Sequence, residues 1–202
     1  MNVDVVMPLL TTFAAESHRS ELVAASSIIE DRRVSWPSGR ARDGGIDEIP
    51  LDGVAGRLFL CGKHAVGADP NATLARVGAT TIVCLNDVAE LLPRFPDYVE
   101  WLRSNAPTHA VHHPIHDMHA PPATEFESLI EDVCSRLAAG EGVIVTCGAG
   151  IGRAGTVAAG VLIRFGASLD DALEIVRTNR PMAGPEVGAQ MDLLKDYERG
   201  RR

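Results

Sequence analysis

Cys147 and Arg153 carry the strongest chemical signal in the chain, separated by Gly148, Ala149, Gly150, Ile151 and Gly152. The β-branched run at 143–146 reads as a buried strand, and the apolar stretch at 157–163 has the character of a helix. Between them, glycine at three of five positions lets successive backbone N–H groups turn inward while the helix directs its positive end at the same point. Such a loop is an anion cradle, and phosphate is its natural guest. The same dipoles would hold a thiolate at Cys147, making it a nucleophile. Arg153 adds a planar fork able to grip two phosphoryl oxygens. Cys-x5-Arg alone is a weak signal in a chain whose only lysines are Lys63 and Lys195 among 19 basic residues. The strand–loop–helix context carries the reading.

A dinucleotide fingerprint, G-x-G-x-x-G, also fits Gly150 to Gly155. That fold needs a further strand after the helix, ending in an acid for the ribose. Here Ser168-Leu169-Asp170-Asp171 reads as a capping box opening another helix, and nothing beyond it reads as strand.

A thiolate displaces a phosphoryl group only if the leaving oxygen receives a proton, so a general acid is required on another loop. Asp117 is the candidate, just past a strand and before a helix, where functional loops gather. An aspartate there is equally suited to a turn. Around it lie His109, His112, His113, His116 and His119. Strand alternation separates His112 from His109 and His113, so tuning or substrate contact near Asp117 is expected in preference to a metal site.

These residues need a scaffold. From residue 50 onward strand and helix alternate: a strand at 57–61, a helix capped by Asp69-Pro70 and ended by Gly78, a strand at 80–85, a helix over 87–105 broken near Pro93 and Pro96, and a strand at 108–115. Thr124-Glu125-Phe126-Glu127 reads as a capping box, followed by one apolar stripe of Phe126, Leu129, Ile130, Val133 and Leu137. Helices are predicted at 154–165, 169–179 and 186–199. The fold class implied is α/β, a mostly parallel central sheet flanked by helices on both faces. The predicted division is an N-terminal extension, 1–49, with an amphipathic helix within 16–33 and a loop at 37–45, followed by one domain, 50–202.

Composition narrows the classes. The 202 residues are 46% hydrophobic, ample for a core, and a net charge of −8 argues against a general nucleic-acid or anionic-membrane binder. Aromatics are too sparse for base stacking. No basic start or sustained apolar run suggests a secretory leader or a membrane span. Cys61, Cys84, Cys134 and Cys147 form no C-x-x-C pair, which fits a reducing cytoplasm.

Residues 147–153 resemble the signature loop of the cysteine-dependent protein tyrosine phosphatases, nearest to the dual-specificity branch, over about residues 50–200. The resemblance implies a dual-specificity phosphatase-like fold and a phosphatase without a cofactor or metal. Cys147, Arg153 and Asp117 would be catalytic and residues 148–153 would bind phosphate. The 30-residue separation of Asp117 from Cys147, and its Pro-hydrophobic-x-Asp setting, resemble that branch. It also implies a water-positioning role for Gln190, although a glutamine on a terminal helix is ordinarily solvated. Some relatives form a protective disulfide with a cysteine in the region of Cys84; buried core is the competing reading. Two departures stand out: Thr146 where the family usually has His, and Ala154 where it has Ser or Thr. The second removes a hydroxyl that assists the thiolate as leaving group, so slow turnover is expected. The loop lacks lysine, which disfavours polyanionic ligands. What remains is phosphotyrosine with phosphoserine/threonine, or a small phosphoester. A non-enzymatic phosphate reader and a redox or sulfur-transfer loop are the opposing classes.

Overall fold

The computed structural model of the chain describes residues 45–201. The helix expected within 16–33 and most of the loop at 37–45 lie outside them. Five strands form one sheet in the order β1-β2-β5-β3-β4. They are β1 (Ile46–Ile49), β2 (Arg57–Gly62), β3 (Thr81–Cys84), β4 (Ala110–His112) and β5 (Gly142–Cys147). β2, β5, β3 and β4 are mutually parallel; β1 pairs antiparallel with β2. The mostly parallel α/β sheet expected from the pattern is thus present, with the domain's edge strand starting earlier than the expected boundary at residue 50.

Register explains the burial. Leu58 and Leu60 stand beside Val143 and Val145, and Val83 beside Val145, so one face of the sheet is continuous. That face packs with α5 (Ala123–Ala138), α6 (Gly152–Arg164), α7 (Leu169–Asn179) and α8 (Gly188–Arg199) in a single core. The alternate residues Phe59, Cys61, Ile82, Cys84 and Ile144 are equally buried. On their side lie α1 (Lys63–Val66), α2 (Pro70–Val77), α3 (Val88–Leu91) and α4 (Pro96–Asn105), of which α1 meets β2 and β5 and α4 meets β4. Strands with both faces covered read as near-continuous apolar runs, as β5 does.

Two local expectations are corrected. α5 begins at Ala123 with Pro122 at its N-cap and no side-chain cap, so Thr124 is not a capping residue. The capping box lies at Asp87, where the Glu90 carboxylate accepts from the Asp87 amide at 3.0 Å. β4 is shorter than 108–115 because Pro114 has no N–H for the ladder. The chain nonetheless stays alongside β3, with His113 N and Ile115 N donating to Cys84 O and Leu85 O, both at 3.0 Å. No helix among the described residues is long and apolar enough to cross a membrane.

Candidate active site

Four parallel strands end at one edge of the sheet, and the loops leaving those ends meet there, the usual ligand crevice of such sheets. The loop after β5 is 148–151, the one after β4 carries Asp117, and the one after β3 leads into α3 with Glu90. Cys147 ends the central strand and is almost fully buried.

The peptide planes of the Cys147 loop are fixed from outside. Gly148 O accepts from Lys63 N at 3.3 Å, Ala149 O from Arg180 Nη2 at 2.8 Å and Gly150 O from Arg180 Nε at 2.6 Å. Ile151 O accepts from Gly155 N and Gly184 N. Carbonyl and N–H point oppositely across each peptide plane, so carbonyls bonded outward turn the amides of Ala149, Gly150, Ile151 and Gly152 to the opposite side. Those are the donors an anion needs. Gly150, at φ 72°, passes so close to the Cys61 backbone that a β-carbon would overlap it, and only glycine fits.

Arg153 lies in the first turn of α6, 3% exposed. Its Nη1 and Nη2 meet Glu90 Oε1 and Oε2 at 2.6 and 3.0 Å, a bidentate pair, while Nη1 also donates to Ile115 O at 2.8 Å. Nη2 stands over Gly148, whose missing side chain leaves it room. Burial alone would lower the guanidinium's pKa; hydrogen bonds to Glu90 and the charges of Cys147, Glu90 and Asp117 reverse this and raise it. For Glu90, burial acts to raise the carboxyl, but the hydrogen bonds of Arg153, Asn86 and the Asp87 amide outweigh it and hold it at about 2.

Asp117 is brought to the same point. Its Oδ1 is 2.9 Å from Arg153 Nη2, and its side chain is 63% exposed. The imidazoles around it have separate hydrogen-bond partners: His109 Nδ1 meets Thr80 O, His112 Nε2 meets Asn86 O, His116 Nδ1 meets Asp87 and His119 Nδ1 meets Asp117 O, while the His116 and His119 rings pack edge to face. Among the described residues, no three His, Cys, Asp or Glu groups converge as metal ligands do.

Gln190 is not the solvated glutamine of a terminal helix. It is 1% exposed, donates to His119 O at 3.0 Å and accepts from Glu186 N at 2.8 Å. Thr156 cannot stand in for the hydroxyl missing at Ala154, because its Oγ1 donates to Gly152 O at 2.8 Å. Thr146 pairs in register with Cys61 and Cys84, on the face opposite to Cys147, so this departure lies away from the loop. Cys84 is a free, buried thiol registered on Thr146. Burial pushes Cys61 up to about 12 and Cys84 and Cys134 up to about 11, which leaves them protonated and inert.

Two residues that the motif did not single out, Glu90 and Arg180, position the rest. A signal existed for Glu90 in the Asp87-x-x-Glu90 capping pattern. Arg180 carried none: it is 3% exposed, and its Nη1 also pairs with Asp47 at 2.5 Å.

A family model described as PTP-SAK, Swiss Army Knife protein, DSP-PTPase phosphatase domain, matches residues 54–194. No curated protein matches the chain. Among solved structures, Tk-PTP in its active form is 27% identical, with a TM-score of 0.58 over 75% of this chain and 96% of that one. Kinase associated phosphatase with its catalytic-site cysteine replaced by serine is 20% identical, with a TM-score of 0.65 over 77% and 94%. The human tyrosine phosphatase-like serine/threonine/tyrosine-interacting protein is 23% identical, with a TM-score of 0.62 over 78% and 98%. The last two bear on the fold alone.

Proposed function

The chain belongs to the dual-specificity phosphatase domain family within the cysteine-dependent protein tyrosine phosphatases, and on that premise we propose that it hydrolyses phosphotyrosine and phosphoserine/threonine monoesters through a phosphocysteine. The observation that carries this reading is convergence: Asp117, 30 residues before Cys147 in sequence, has its carboxylate 2.9 Å from the arginine that ends the Cys147 loop.

In the proposed cycle the phosphoryl group sits on the amides of residues 148–153 and the Arg153 fork, which stabilise its equatorial oxygens as charge develops. Cys147 Sγ attacks phosphorus in line; the bond to the ester oxygen breaks, and Asp117 protonates that oxygen. Water, giving its proton to Asp117 now acting as base, then hydrolyses the phosphocysteine, and the P–S electron pair returns to Cys147 Sγ. The second step is the slow one, because Ala154 offers the departing thiolate no hydroxyl and Thr156 is tied to Gly152. The absence of lysine from the loop supports a monoester over a polyanion.

The test is phosphate release from an aryl phosphate and from phosphotyrosine peptide across pH 5–8, with wild type, Cys147→Ser and Asp117→Ala in parallel. The first substitution is expected to abolish release and the second to reduce it by about 10²-fold. A silent wild type that still binds vanadate would instead make the domain a phosphate reader. Activity that survives Asp117→Ala with an acidic optimum would favour redox or sulfur-transfer chemistry at the same loop.

A further inference from the structure

We infer that the Asp117 carboxylate blocks the phosphate site of the free protein, standing where a phosphoryl oxygen must go on Arg153, so that an anion binds only by displacing it. The inference rests on the phosphatase reading above and adds a competition within that site. Most of the Arg153 fork is already used. Nη1 donates to Glu90 Oε1 and Ile115 O at 2.6 and 2.8 Å, and Nη2 donates to Glu90 Oε2 at 3.0 Å. What remains for a ligand is Nε and the second hydrogen of Nη2. Nη2 is also the nitrogen that faces the cradle, 3.2 Å from the position a β-carbon on Gly148 would take. Asp117 Oδ1 lies 2.9 Å from that same nitrogen.

Of the groups on the fork, Asp117 is the one that yields. Glu90 bonds to both Nη nitrogens, and its carboxylate is fixed further by Asn86 Nδ2 and the Asp87 amide at 2.8 and 3.0 Å. Ile115 is buried, and its own amide donates to Leu85 O. The Asp117 side chain is 63% exposed, so water readily replaces the guanidinium as its partner. The backbone on either side is held meanwhile: His116 Nδ1 meets Asp87 Oδ2 and His119 O accepts from Gln190 Nε2, both at 3.0 Å. The carboxylate therefore swings on a tethered loop instead of carrying the loop away.

A phosphoryl group settling on the loop amides brings an oxygen against Nη2, and two anionic oxygens repel each other at that position. The ester oxygen of a bound monoester points to solvent, and the displaced carboxylate, already exposed, stays beside it as the acid of the first step. Displacement weakens every anion that uses the fork alike, because affinity is reduced by the fraction of molecules in which Arg153 is uncovered. Inorganic phosphate meets the same competitor as substrate does, so the return of Asp117 to Arg153 favours product release.

The test is binding of phenylphosphonate and benzenesulfonate to the full chain at pH 8, by NMR titration of wild type, Asp117→Ala and Asp117→Asn. Both ligands present a tetrahedral centre with three oxygens and neither is hydrolysed, but the first is a dianion and the second a monoanion. Asp117→Ala binds both about fivefold more tightly than wild type. Asp117→Asn gains less, since its amide oxygen still reaches the guanidinium. A gain for the dianion alone marks simple charge repulsion and overturns the inference, as does no gain for either ligand. Crystals of wild type with phenylphosphonate show a ligand oxygen on Nη2 and Asp117 off it; a complex in which Asp117 keeps Nη2 also overturns the inference. Failure of the phosphatase reading looks different. Tighter binding by Asp117→Ala, in a chain whose wild type releases no phosphate from p-nitrophenyl phosphate, upholds the block and leaves a phosphate reader. Binding of neither ligand by any of the three proteins removes the anion site and overturns both.

Discussion

The stretch at 148–152 and the stretch at 116–120 lie at the same edge of the sheet but are held by different means. In the first, the carbonyls of Gly148, Ala149, Gly150 and Ile151 are bonded away from the cradle, and the arginines at work, Arg153 and Arg180, are buried and paired. In the second, Asp117 and Met118 are exposed, and Met118 takes φ 60°, unusual without glycine. The anchors of that loop are His116 on Asp87, Asp117 on Arg153 and His119 O on Gln190. On the proposed function, the difference separates two tasks. Phosphate binding needs donors fixed before the ligand arrives, since donors that must reorganise lose their electrostatic advantage. Proton delivery needs an acid that can approach a varied leaving group, and a lightly held, solvated loop suits that.

Substitutions that strike the rigid side should therefore do the most damage. Arg153→Lys replaces a fork gripping Glu90 at two points with a single ammonium, and kcat should fall by roughly 10³-fold, measured on any monoester. Arg180→Met leaves Asp47 and two loop carbonyls without their donor; urea unfolding should show a loss of about 3 kcal/mol, with phosphate binding weakened in step. If Arg180→Met folded and bound phosphate as wild type does, the outer bracing would be incidental.

A pH experiment isolates Glu90. Its carboxyl is held at about 2 in the folded protein, against an ordinary value of 4.5. The pair with Arg153 therefore contributes stability that is fully present above the unfolded value and is lost as pH falls from roughly 5 toward 2. Denaturant midpoints between pH 2.5 and 7 should fall steeply for wild type and more shallowly for Glu90→Gln; equal slopes would remove Glu90 as the anchor. The smallest effect is expected from Ala154→Ser, which restores a hydroxyl at the start of α6. Steady-state turnover should rise several-fold with a smaller burst, whereas Thr156→Val should leave it nearly unchanged.

Much of this was legible because it is local. The strand–loop–helix around Cys147 and Arg153 is written in consecutive residues, and the proton that the proposed reaction requires pointed to Asp117, whose carboxylate lies 2.9 Å from Arg153. β1 was not legible: in Ile-Asp-Glu-Ile only the outer residues are buried, while Asp47 turns to Arg180 and Glu48 to Arg57, so no period-2 pattern survives. Arg180 and Gln190 share a different difficulty. Their side chains act on segments distant in sequence, and only the packing of α7 and α8 against α6 brings them there. The resemblance assigned water to Gln190; in the structure its amide bonds to His119 O and Glu186 N.

The most direct test is to quench the reaction with a phosphotyrosine peptide in acid during steady state and locate phosphate on the protein by mass spectrometry, in wild type and in Cys147→Ser. The account predicts close to one phosphate per chain on Cys147 in wild type and no labelling or turnover in the variant. Sustained release of phosphate from Cys147→Ser, or turnover by wild type without phosphate ever residing on Cys147, would contradict it.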